Sequence, residues 1–328
     1  MHTGNHYKIL EFLYWTRRDL YRLFVFAAVP TILYQVFDLK FLAIPWVPVA
    51  LIGTAGAFMI GFKNTQSYNR LWEARQIWGG IVNTSREFAL MLRDFSGADQ
   101  EALKTAYYRH IAWLTALRYQ LREPKPWENS SKSYNKEYRK YFTVPEWEGR
   151  LDSALEPYLS KAELQDVLKR KSKASYILAL QSAWLKTQHE KGAMDVYKLI
   201  ELENRIGLLL DHQGKSERIK NFPYPRQYAS INLYFVWLLV ILLPFGMLNE
   251  FQKISDCYVW LTIPFSMIVS WVFTSMEKIG EASENPFEGS ANDIPMASIS
   301  RNIEIELRDL LNEKDIPEPI APVNKIIL

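Results

Sequence analysis

The sequence predicts an all-α integral membrane protein with four spanning helices in two hairpins and a large helical region on one side of the bilayer. Three observations carry this prediction. Apolar runs of near-spanning length lie toward both ends of the chain, while the middle is polar. No long alternating strand pattern is present. The basic residues that flank the runs gather on one side of them.

Taken in order, the segment MHTGNHYKILEF lacks the layout of a cleaved signal peptide and reads as a short interfacial helix. Leu20–Phe37 is near the minimum length for a span, and Pro30 can bend it. After the short polar connection Asp38–Phe41, Leu42–Phe62 makes the second span. Residues 63–225 are polar, and within them Gln66–Phe95, Gln100–Arg122, Lys161–Leu185 and Met194–Asp211 repeat apolar residues at helical spacing. Glu123–Val144, with PKP and NSSKS, reads as a polar loop or flexible linker. Pro223 and Pro225 end the polar region and turn the chain back toward the bilayer. Ala229–Leu248 and Cys257–Met276, joined by NEFQKISD, form the second hairpin. The tail from Lys314 is Pro-rich and is expected to be extended or disordered. The organisation is therefore 1–62, 63–225, 226–276, 277–313 and 314–328.

Arg17, Arg18 and Arg22 precede the first span, Lys63, Arg70 and Arg75 follow the second, and Arg218, Lys220 and Arg226 precede the third. The hairpin loops carry only Lys40 and Lys253, each beside acids. The positive-inside rule then places both termini and the middle region in the cytoplasm of a multi-pass protein of the cell membrane. Tyr34, Trp46, Tyr258 and Trp260 fall near the outer boundary, where an aromatic belt belongs.

Several chemistries are missing. A net charge of +3 with no basic block gives no footprint for nucleic acid. A lone cysteine, Cys257, excludes internal disulfides and a thiolate metal cluster. Five histidines are scattered without HExxH spacing, and no GxGxxG, Walker-type or GxSxG element occurs. The spans contain almost no ionisable residue, which argues against proton-coupled transport. The reading is of a protein that is not an enzyme and holds no cofactor.

The most informative stretch is Val47–Arg75, which begins as a span and continues as a charged helix. Thr54, Phe58 and Phe62 are spaced i, i+4, i+8 and share a face. Gly53, Ala57 and Gly61 make an adjacent stripe of small side chains, suited to close helix packing in lipid. The bulky row then faces whatever the packed helices enclose, as a hydrophobic constriction would.

GFKNTQSYNRLWEARQIWG (Gly61–Gly79), the PYP turn before the third span and ENPFEGSANDIP (Glu284–Pro295) occur in the order found in the bestrophin family, and the chain resembles its prokaryotic branch. Pro286, Phe287, Asn292 and Asp293 match the family signature, whereas Glu288 stands where the family usually has glycine, with Gly289 one place later. The resemblance covers most of the chain. It implies a homopentameric channel for monovalent ions in the bacterial inner membrane, whose partners are its own copies, the ions and the bilayer.

It also implies a narrow neck at Thr54, Phe58 and Phe62, with Thr54 replacing the usual aliphatic residue, and a cytoplasmic aperture at Val196 or Tyr197. Animal members bind calcium through an acidic cluster after the signature. Here Glu288 and Asp293 are too few for a cation that takes six to eight oxygens, so no calcium clasp is expected. Animal members conduct chloride and a prokaryotic member conducts cations; the bacterial resemblance, with Asp195, Glu201 and Glu203 near the aperture and Lys198 and Lys63 opposing them, leans toward cations.

Overall fold

A computed structural model describes all 328 residues, Met1–Leu328, and contains twelve α-helices and no named strand. They are α1 (Ile9–Gln35), α2 (Trp46–Phe95), α3 (Gln100–Arg122), α4 (Ser133–Tyr138), α5 (Pro145–Glu148) and α6 (Leu151–Leu155). Then follow α7 (Lys161–Lys169), α8 (Lys173–Glu190), α9 (Val196–Asn221), α10 (Arg226–Gln252), α11 (Thr262–Ser283) and α12 (Met296–Leu310). The chain divides into an apolar unit, residues 4–70 and 223–284, and a polar unit, residues 1–3, 71–222 and 285–328.

Helix α2 contributes to both units as one 50-residue element, about 75 Å long at 1.5 Å per residue. Its one proline, Pro48, lies in the first turn, where a missing amide costs nothing. It ends where Gly97 adopts φ +59 against the Ala193 carbonyl, a place with no room for a Cβ. Asp99 then caps α3 by accepting from the Ala102 amide at 2.8 Å.

In the apolar unit α1 packs on α10 and α11, which pack on each other. Three stretches are long and apolar enough to cross a membrane: the one running through α2, α10, and the one ending in α11. Helix α1 falls short of that standard because Arg17, Arg18, Asp19 and Arg22 occupy its middle, leaving only its second half apolar. There is no separate interfacial helix at the N-terminus; regular structure starts at Ile9 and continues into α1. Helix α2 meets α10 through Val49, Leu239 and Leu243, and Leu23 of α1 joins Ile60, Val236 and Val240 in a second cluster. Gly246 permits this approach: a Cβ there would lie 3.0 Å from Val49 and 3.1 Å from Trp46.

Two ion pairs, one buried and one largely shielded, tie these helices together. Lys63 of α2 donates to Glu277 of α11 at 2.5 Å, and Asn232 of α10 donates to the other oxygen of Glu277. Lys278 of α11 reaches Asp19 of α1 at 2.5 Å. Each charge is removed from water and therefore depends on its partner.

The polar unit has one large core in which Trp78, Phe88, Tyr107, Trp113, Leu202 and Phe287 are buried together. The helix expected over Lys161–Leu185 is two helices, α7 and α8. Lys169, Arg170, Lys171 and Lys173 crowd like charges within a single turn, and Ser172 takes the N-cap position of α8. Helix α9 continues ten residues past the expected end at Asp211, to Asn221. Glu123–Val144 is not a flexible linker. Lys220 pairs with buried Glu128, the Asn129 amide donates to Glu288 at 2.8 Å, and α4 follows directly. The tail is extended but docked: Ile326 and Leu328 are buried with Phe142, Val144 and Ala291, and the Ser298 amide donates to the Leu328 carbonyl at 3.1 Å.

Glu277→Ala strands Lys63 in an apolar setting and is expected to cost about 3–5 kcal/mol, as loss of one buried partner does. Lys63→Met/Glu277→Leu removes both charges and is expected to recover most of that loss. Unfolding midpoints of the purified variants in detergent check both outcomes.

Candidate functional site

Three separate groups of residues are candidates for function: a row on α2 in the apolar unit, and the start of α9 and the loop between α11 and α12 in the polar unit. On α2, Phe58 is 76% exposed, Phe62 is 45% exposed, and Thr54 is exposed with them. The spacing that predicted a shared face does place them on one, and none belongs to a core cluster. Phe62 touches the Tyr228 ring of α10 at 6.3 Å between centroids. The Thr54 hydroxyl donates to the Ala50 carbonyl at 2.9 Å, so its proton is used within the helix.

The small stripe does not behave as the packing face within the protomer. Gly53 lies against Leu239, with a Cβ there 3.4 Å from it, but Ala57 is exposed and nothing approaches Gly61 within 4 Å. The face that packs carries Val49, Gly53, Gly56, Ile60 and Lys63. Larger side chains of α10 and α11 fill that interface, so it needs fewer small residues than the stripe implied.

At the start of α9, Asp195 accepts from the amides of Tyr197 at 2.9 Å and Lys198 at 3.0 Å, fixing the helix N-terminus. The hydrogen bond from the Lys198 amide, helped by that from Tyr197, holds the Asp195 carboxyl below its ordinary value against an opposing desolvation. Tyr197 is 79% exposed and Val196 47% exposed, so neither serves the core. Glu201 pairs with Arg205 at 3.7 Å, and Glu203 accepts from the Ser182 hydroxyl at 2.8 Å. Lys63 cannot oppose these acids, because it is buried against Glu277.

The signature loop is a folded turn. Phe287 enters the core of the polar unit, and the Ile294 amide donates to the Pro286 carbonyl at 3.1 Å. The Asn292 amide meets the Ser290 hydroxyl at 3.4 Å. Asp293 accepts from Arg122 at 2.6 Å, from the Gly289 amide at 2.7 Å and from the Ser290 hydroxyl at 2.7 Å. Gly289 has φ +85, and a Cβ there would overlap the Trp147 ring, so this position demands glycine. Glu288 is buried, with Oε2 accepting from the Asn129 amide and from Asn285 at 3.2 Å.

The sequence reading missed the partners rather than the motifs. Lys63 and Glu277 sit just past the ends of two spans, and that symmetry was the available signal for their pairing. Nothing local connects Arg122 to Asp293, which are 171 residues apart. His110, one of the scattered histidines, is buried with Nε2 2.9 Å from the Ser85 hydroxyl, and burial pushes its imidazole down to about 3. It is a neutral core residue.

A sequence profile of a family described as bacterial/fungal bestrophin protein matches residues 17–309. The voltage-dependent anion channel-forming protein YneE of Escherichia coli K12 is 28% identical over 277 residues, 84% of this chain and 80% of that protein. The voltage-dependent anion channel-forming protein RSc3414 of Ralstonia nicotianae is 26% identical over 279 residues, again 84% and 80%. Among solved structures, a bacterial bestrophin homologue from Klebsiella pneumoniae superposes with a TM-score of 0.77 at 23% identity, covering 94% of this chain and 100% of that one. At that identity the likeness establishes the fold.

Burial first, and then the charge of Asp293, raise the Glu288 carboxyl well above its ordinary value. Its folded pKa exceeds its unfolded one, so stability is lost as pH climbs from about 4.3 toward the folded value. Glu288→Gln keeps a carbonyl acceptor for Asn129 and removes the ionisation. Thermal unfolding at about pH 5 and about pH 8 is expected to show a smaller pH-dependent loss in the variant; equal losses would contradict the assignment.

Proposed function

Because the chain belongs to the bacterial and fungal bestrophin family, we propose that it is a bestrophin-type ion channel in which five copies surround one pore. The observation that carries this reading is the pair of adjacent outward faces on α2. An aromatic row at Phe58 and Phe62 stands exposed beside Ala57 and Gly61, which no side chain of the same protomer covers. Small residues bring no benefit against lipid, but they let a neighbouring helix approach closely. With a second copy against that stripe, the aromatic row turns inward.

Five rings each of Phe58 and Phe62 would form a constriction narrow and apolar enough to dewet, and small rotamer changes would rewet it. Thr54 would add a more polar ring. Its proton is committed to Ala50, so it offers lone pairs to the lumen. A second constriction is assigned to the start of α9, where Val196 and Tyr197 are both exposed.

Anions are the better-supported permeant ions. The curated relatives are named as anion channel-forming proteins. The acids that spoke for cations are compensated: Asp195 caps α9, Glu201 pairs with Arg205 and Glu203 takes a hydroxyl. Membership of a channel family also weighs against an enzyme. A membrane-anchored scaffold that binds a partner would need exposed aromatics in the polar unit, for which Tyr134, Tyr138 and Trp147 are the candidates. All three are half-buried, and Tyr138 and Trp147 pack on the cluster around Phe142. In the proposed protein α1, α2, α10 and α11 cross the cell membrane with both termini in the cytoplasm. Calcium plays no part, since Asp293 and Glu288 are already engaged by Arg122 and backbone amides.

Purified protein in planar bilayers is expected to pass current, with a reversal potential in asymmetric NaCl on the chloride side and no change when calcium is chelated. Phe58→Ala and Phe62→Ala are expected to raise conductance or open probability severalfold. Unchanged currents in both variants would remove the neck from α2, and a sodium-side reversal would return the selectivity to cations. Val196→Ala and Tyr197→Ala, compared by the same reversal measurement, separate the two candidates for the second constriction.

A further inference from the structure

The polar unit contains a cleft that the channel reading leaves without a role. It is about 270 Å³ in volume and lies between the C-terminal part of α3, the loop after it, α5 and the start of α8. Tyr119 and Trp147 give it aromatic walls, and Arg122 and Glu146 line it at depth. Its basic members include Lys171 and Lys173, and no acid pairs with either. We propose that this cleft binds a small organic anion with a flat apolar body, carrying one phosphate or carboxylate.

The charge balance favours an anion. Glu146 accepts from Arg118 at 2.7 Å, and Arg122 donates to Asp293 at 2.6 Å, so these four groups cancel. Lys171 and Lys173 then face a single acid, Glu123, at the rim. Helix α8 adds to the excess: it is 18 residues long, has no acid in its first turn, and its N-cap Ser172 makes no capping bond. The Ser172 hydroxyl donates to Ser175 instead, at 2.8 Å. The first-turn amides of such a helix are available to anionic oxygens.

The deep wall is an internally balanced network of ion pairs, which leaves the lysines at the other side as its uncompensated charge. Arg122 and Glu146 are both buried, and Arg122 Nε pairs with Glu146 Oε2 at 3.4 Å. The volume is just under the usual range for drug-sized ligands. It suits a single ring with one acidic group, held between two aromatic walls.

Titration calorimetry of the full-length protein in detergent tests this with three probes: phenyl phosphate, benzoate and inorganic phosphate. Saturable binding of phenyl phosphate or benzoate is expected, weaker at high salt and at least about tenfold tighter than inorganic phosphate. Which of the two binds more tightly identifies the acidic group. Lys171→Ala/Lys173→Ala changes side chains outside the core and is expected to melt like the parent while losing about tenfold in affinity. Absence of saturable binding by both aromatic probes, or affinity unchanged in the double variant, overturns the site. Equal affinity for inorganic phosphate overturns the apolar body of the ligand. The assay reads no current, so its failure leaves the channel reading intact.

Discussion

Helix α2 has to remain one uninterrupted helix while the demands on its faces change along its length, and the rest of the structure follows from that constraint. Up to Arg70 it belongs with apolar neighbours, and from Leu71 it belongs to a water-compatible core. The sequence keeps proline out beyond the first turn and stops the helix only where Gly97 can turn against Ala193. Within one helix the buried face passes from Val49, Gly53, Gly56 and Ile60 to Trp78, Ile81, Phe88 and Leu92. Inside the apolar unit, Lys63 is a charge that its neighbours can accept only because Glu277 arrives from α11 and Asn232 from α10.

Buried charge is managed in the polar unit by the same means. Lys220 is matched to Glu128, and Arg122 to Asp293. Burial lowers the Lys220 ammonium while Glu128 opposes that shift, so the pair keeps its charge by holding together. Each such pair joins segments far apart in sequence, which is how a loop rich in Pro, Ser and Lys becomes a fixed part of the core's edge. Single ion pairs at the surface would contribute little to this; their removal from water is what makes them structural.

The helices of the polar unit were legible because amphipathic periodicity is a local property. Gln100–Arg122 was read at its true ends, and α9 was found but cut short. Its continuation from His212 to Asn221 carries few apolar residues and is held by contacts such as Trp113 to Gln213 at 3.0 Å. The order of the loop 123–144 and the docking of the extended tail were not legible for the same reason: they come from Glu128, Asn129, Ile326 and Leu328 meeting distant partners. On α2 the row of Thr54, Phe58 and Phe62 was legible from spacing alone. The packing face was not, because it depends on which large side chains α10 presents to it, and Leu239 and Gly246 cannot be aligned with α2 from sequence.

The signature loop shows how a tight turn sets what each of its positions can hold. Position 289 requires glycine, since its φ is positive and the Trp147 ring occupies the space a Cβ would need. The turn therefore holds glycine at 289, while position 288 carries a side chain. That side chain points inward, where a neutral residue of similar length could also have accepted the Asn129 amide. An acid there adds a charge next to Asp293 and raises its own pKa, which works against stability at neutral pH. Arg122 lessens the cost by holding Asp293, while Gly289 and Ser290 direct their donors to Asp293 rather than to Glu288. The loop thus keeps its two carboxylates apart by giving each its own donors. In the proposed channel this division also speaks against calcium at the loop: both Asp293 oxygens and Glu288 Oε2 already accept hydrogen bonds within the protein.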